Sequence, residues 1–111
     1  MKAHLKLFLL ALAALWLAGP ALAQSYYVDI TNRTGFVITH IYVSPANSSS
    51  WEEDVLGNKV LAKGATHRVT LTGYRSPIFD IKLVDEDGDS YTYWKVDVSK
   101  RDIVARPEHL D

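Results

Sequence analysis

Four short runs of alternating apolar and polar residues constrain the fold more than any other feature of the chain: Ser25–Thr31, Thr66–Thr72, Ile78–Val84 and Ser90–Val98. A side-chain period of two places one set of residues on each face of a strand, so each run is a half-buried β-strand. The predicted inward sets are Tyr26, Val28 and Ile30; His67, Val69 and Leu71; Phe79, Ile81 and Leu83; and Thr92, Trp94, Val96 and Val98. Phe36–Val43 adds a run of high β-propensity that is apolar on both faces, which predicts a central strand covered on two sides. No amphipathic helical pattern separates these runs. The expectation is therefore all-β, a small antiparallel β-sandwich or open barrel of five to seven strands.

Turn chemistry joins the runs. Asn32-Arg33-Thr34-Gly35 predicts a first hairpin between Ser25–Thr31 and Phe36–Val43. A single helical turn is predicted over Trp51–Gly57, capped by Ser50 and anchored by Trp51 and Leu56. Asp85-Glu86-Asp87-Gly88-Asp89 predicts the hairpin between the last two long strands. Beyond it, residues 99–111 form a tail that pairs a sheet edge through Ile103-Val104-Ala105 or trails away after Pro107.

Ahead of the domain, Lys2 and Lys6 precede an uncharged run from Leu7 to Ala18, then Gly19-Pro20 and Ala21-Leu22-Ala23. These are the basic, apolar and small-residue regions of a signal peptide, with cleavage predicted between Ala23 and Gln24. The apolar run would span about 18 Å as a helix, short of the roughly 30 Å of a bilayer core. An uncleaved anchor is the rival reading, because no charge appears until Asp29, but Gly19-Pro20 breaks the helix early. The predicted organisation is a signal peptide over 1–23, a sandwich over 24–98 and the tail, with a periplasmic or secreted location and no stable membrane span after cleavage.

Removing residues 1–23 from the 111 leaves 88, and loss of Lys2 and Lys6 turns 12 basic against 13 acidic residues into 10 against 13, a formal charge of −3. A nucleic-acid partner would require a concentrated basic face instead. The chain has no cysteine, which removes disulfide staples, a thiol nucleophile and a thiolate zinc site. A domain this small without such staples relies on a thin core margin.

The blocks Thr34–Pro45 (TGFVITHIYVSP), Trp51, Asp54-Val55-Leu56-Gly57, Leu61-Ala62-Lys63-Gly64 and Phe79-Asp80-Ile81, followed by the acidic Asp-Gly turn, resemble a group of small exported bacterial domains of uncharacterised function. The resemblance spans about Val28 to Val98 and implies a compact β-sandwich without an established activity. Members often carry cysteines where this chain has Ser76, Pro77 or Ser99, so a disulfide is not carried over. Some bear an argininosuccinate lyase label, yet 88 residues lack the helical bulk of such a lyase.

Candidate chemistry is sparse. Asp85, Asp87 and Asp89 offer hard oxygens at alternate positions, as calcium prefers, but the EF-hand spacing fails: counted from Asp85, Gly88 is position 4 and position 12 is Val96. A six- to eight-oxygen shell would need further carboxylates such as Asp54 or Asp97. A solvated hairpin is the simpler account, with no cofactor. His40, His67 and His109 form no zinc signature, and Ser44, Ser76 and Ser90 lack a nucleophile elbow. Asn32-Arg33-Thr34 and Asn47-Ser48-Ser49 match the glycosylation sequon but read as turns. Aromatic rings remain. Tyr91 and Tyr93 are expected to share an exposed face with Lys95, Tyr27 to be exposed elsewhere, and Trp51 to anchor the Ser44–Gly57 loop. Two readings result: an exported, non-enzymatic interaction or accessory module that contacts an envelope protein or glycan, and a calcium-assisted carbohydrate-binding module or small hydrolase that uses the acidic turn.

Overall fold

A computed structural model describes residues 24–111; the predicted signal peptide and its cleavage after Ala23 lie outside the described residues. Six strands form two three-stranded sheets: β1 (Gln24–Asn32), β2 (Ile38–Pro45), β3 (Thr66–Tyr74), β4 (Ile78–Asp85), β5 (Ser90–Asp97) and β6 (Ile103–Ala105). The first sheet has the order β3-β1-β6 and the second β2-β4-β5. The all-β sandwich predicted from alternation is what forms. All strand pairs are antiparallel except β1 with β6, which is parallel. Among the described residues no helix is long and apolar enough to cross a membrane.

The core lies between the sheets. Val28, Ile30, Val69, Leu71, Ile103 and Ala105 come from one side and Ile38, Ile41, Val43, Phe79, Ile81, Leu83, Tyr91 and Val96 from the other. Strands β3 and β4 keep their predicted faces: Val69 and Leu71 are buried in β3, and Phe79, Ile81 and Leu83 in β4.

The predicted first hairpin does not form, because β1 and β2 belong to different sheets. Asn32 explains the crossing. Its side chain donates to the carbonyls of Phe36 and Leu61 and accepts from the Thr34 N–H and hydroxyl, so the turn is fastened to the far side of the core instead of folding β2 back on β1. Asn32 is 0% exposed, which leaves this sequon match no accessible amide. Nor is β2 central. It is an edge strand whose register shifts between Ile38 and His40, and this bulge brings Ile38, Ile41 and Val43 to one face although their sequence parity differs. The two-sided apolar appearance of this run comes from that shift.

The predicted helical turn over Trp51–Gly57 is also absent. The segment runs instead as a strap along the open edge of β2, extended to Asp54 and then tightly turned over residues 55–58: Tyr42 bridges to Asp54 and Ile38 to Leu61, and the Val55 N–H donates to the Ile41 carbonyl at 2.8 Å. The Asp54 carboxylate accepts from the N–H groups of Ile41 and Leu56, so it ties the strap to β2 and closes the strap's own turn, and no helix follows. Leu56 is buried in the core, as an anchor should be.

Candidate aromatic binding face

The two sequence candidates, the acidic turn and the tyrosine face, are both rearranged. Asp85 is buried, not solvated. Its Oδ1 accepts from the N–H groups of Asp87 and Asp89 at 2.9 and 3.0 Å, and its Oδ2 accepts from the Tyr91 hydroxyl at 2.9 Å. The carboxylate thus closes the hairpin from within while Asp87 and Asp89 stay exposed. Ligand atoms of Asp85, Asp87 and Asp89 lie within 4.8 Å of one another, so the three could approach an ion. Both Asp85 oxygens accept hydrogen bonds within the protein, Oδ1 from two backbone N–H groups and Oδ2 from Tyr91, so a cation at this turn would compete with these donors.

Tyr91 is not on an exposed face. It is 2% exposed, and Tyr93 is partly buried beneath His109, whose Nδ1 lies 2.9 Å from the Tyr93 hydroxyl. The cause is a β-bulge. Phe79 pairs with Val96 but Ile81 pairs with Tyr93, so Asp80 faces the two residues Trp94 and Lys95. Lys95 takes φ of 53°, and its N–H donates to Asp80 Oδ1 at 2.8 Å. One extra residue reverses parity within β5: Tyr91 and Tyr93 turn inward before the bulge, Val96 inward after it, and Trp94 outward. Burial pushes the Tyr91 phenol up to about 12, reinforced by its hydrogen bond to Asp85 and the charge there. Tyr93 is likewise pushed up to about 12, chiefly by burial.

The ring set that does reach solvent lies on the outer face of β2-β4-β5. His40 stacks on Tyr42 with ring centroids 6.0 Å apart and planes 7° from parallel. Tyr42 lies 6.5 Å from Trp51, and Trp51 lies 5.8 Å from Trp94. Tyr42 and Trp94 belong to the strands on either side of β4, so Trp51 bridges across that middle strand from its loop. Trp94 is 66% exposed, a large indole with one face in water. A cavity of about 120 Å³ opens beside the Trp51–Trp94 pair, walled by both rings, Ser44, Asp80 and the serines at 48–50.

The local sequence builds this site by three means. The bulge aims Trp94, the strap carries Trp51, and the Glu52 N–H donates to the Ser44 hydroxyl oxygen at 2.7 Å, fixing the residue after Trp51 to β2. Of the predicted interaction residues, Trp51 is in the site while Tyr91 and Tyr93 support the core beside it. From the sequence, Trp94 is expected to face inward and Ser44 is weighed only as a nucleophile and as the start of the loop, while Asp80 is not singled out. A parity break was nevertheless visible, since Tyr91 and Tyr93 on one side and Val96 and Val98 on the other cannot all point inward in an unbroken strand.

Elsewhere, Tyr27 is exposed but carries the Arg68 guanidinium 4.0 Å above its ring, while Arg68 forms two hydrogen bonds to Asp29. That arrangement satisfies itself across β1 and β3. Compared with known protein families, with curated proteins and with solved structures, the chain matches none of them.

Proposed function

We propose that this chain is an exported, non-enzymatic interaction module that binds an envelope component through the outer face of β2-β4-β5. The leader-like residues 1–23 motivate export. The observation that carries binding is the solvent-facing indole of Trp94 set against Trp51: a small domain with little core to spare leaves one of its two indoles in water.

Immobilised protein should retain material from a cell-envelope extract, and Trp94→Ala should abolish that retention without lowering Tm, because the ring is largely outside the core. Equal retention by wild type and Trp94→Ala would remove the face from consideration.

A further inference from the structure

We infer that the cavity beside the Trp51–Trp94 pair takes one ring of a neutral, hydroxyl-rich glycan chain, with the neighbouring ring of that chain lying across Tyr42. This inference rests on the reading of the same face as the binding surface. The cavity, at about 120 Å³, is well below the volume that encloses a whole drug-sized ligand. It suits one ring of a longer molecule spread over an open face. Centroid steps of 6.5 Å from Tyr42 to Trp51 and 5.8 Å from Trp51 to Trp94, at tilts of 49° and 38°, make a stepped row of apolar ring surfaces across the sheet, with a spacing of about one pyranose ring.

The polar wall narrows the ligand class. Ser44 is 3% exposed and its oxygen accepts from Glu52, which leaves the hydroxyl proton for an occupant. Asp80 uses Oδ1 on the bulge N–H of Lys95, and Oδ2 is free to accept. An apolar peptide anchor would cover both groups without partners, at about 1–3 kcal/mol for each. A polyanion would meet Asp80 in a cavity lined by no lysine or arginine. An organic cation calls for rings facing it from several sides, whereas Trp51 and Trp94 pack against each other at a 38° tilt and wall the cavity together. A sugar meets every condition: its C–H face lies on indole, one hydroxyl accepts from Ser44, and another donates to Asp80. The acidic hairpin is not involved, so recognition is independent of calcium.

Both tryptophans of residues 24–111 are in this site, and Trp16 adds at most a constant background, so indole emission reports its occupancy. The purified protein is titrated with cellohexaose, chitohexaose and laminarihexaose, with choline and polyphosphate alongside, by emission and by calorimetry, in calcium and in chelator. At least one neutral hexasaccharide should shift the emission and give saturable heat, equally in both buffers. Trp94→Ala should weaken it about tenfold, the worth of one stacked ring. Asp80→Asn, which keeps the Oδ1 acceptor for Lys95, should weaken it a few-fold with Tm unchanged. No saturable binding to any of the three sugars overturns the glycan inference, as does choline binding that Asp80→Asn abolishes. If the sugars fail while Trp94→Ala still abolishes retention of envelope material, the glycan assignment alone falls; if retention is also unchanged, the binding face falls with it.

Discussion

At the scale of single residues, Lys95 and Asp85 decide more than their types suggest. Lys95 holds φ of 53°, a left-handed conformation in which an L side chain crowds its own carbonyl and glycine does not. Lys95→Gly should therefore raise stability by about 0.5–1 kcal/mol, a few degrees in Tm for so small a domain. A fall in Tm would mean that the lysine side chain stabilises the bulge by more than its backbone costs. Asp85 has three hydrogen-bond donors on its two oxygens. Because an ion would have to compete with those donors, melting midpoints in millimolar calcium and in chelator should agree within about 1 °C. A clear rise with calcium would show that the hairpin rearranges to bind it. The sequence displayed the Asp-Gly turn, and the turn is there. It could not display which carboxylate folds inward, because that depends on where the Tyr91 hydroxyl arrives from the next strand.

At the scale of elements, strand identity was legible and strand partnership was not. Alternation located β1, β3, β4 and β5 because burial on one face is a local constraint written at every second residue. The pairing of β2 with β4 on one edge and with the Trp51 strap on the other depends on which sheet receives the chain after Asn32, and that is settled by an amide reaching Leu61, 29 positions away. Bulges are similarly hidden, since one extra residue has no composition of its own; those in β2 and β5 account for the main reversals of face. The strap itself is a testable unit. Asp54→Ala removes the acceptor for the Ile41 and Leu56 N–H groups, and should cost about 1–3 kcal/mol. Trp51 should loosen with it, so the indole emission should shift toward that of water-exposed tryptophan. Unchanged emission in a destabilised variant would show that Trp94 and Tyr42 hold Trp51 without the strap.

At the scale of the whole molecule, a cysteine-free sandwich is closed by its tail. After β6 joins the first sheet, a 3-10 turn at Pro107–His109 leads the chain over the second, where the Asp111 N–H donates to the Ser90 carbonyl and the Asp111 carboxylate accepts from Ser90 and Thr92. Although burial opposes it, these hydrogen bonds hold the Asp111 carboxyl below the ordinary aspartate value, so its contribution is present at neutral pH and is lost as pH falls through that lowered value. The alkaline side has the opposite sign. Tyr91 and Tyr93 titrate near 12 when folded and near 10 when unfolded, so the folded state favours the proton. Their stabilisation is complete below about pH 10 and drains away as pH rises through about 12. Both phenols lie where the tail, the hairpin and the core meet: Tyr91 against Asp85, and Tyr93 against His109 with Asp111 raising its value and Arg101 opposing. Tyr91→Phe should lower Tm at neutral pH, since the hydroxyl leaves Asp85 Oδ2 without its donor at about 1–3 kcal/mol. Above pH 10 the same variant should lose Tm less steeply than wild type, because one of the two raised phenols is gone. Parallel Tm profiles for the two proteins across that range would show that Tyr91 ionises without coupling to folding, and the buried link between hairpin and core would then have to be sought elsewhere.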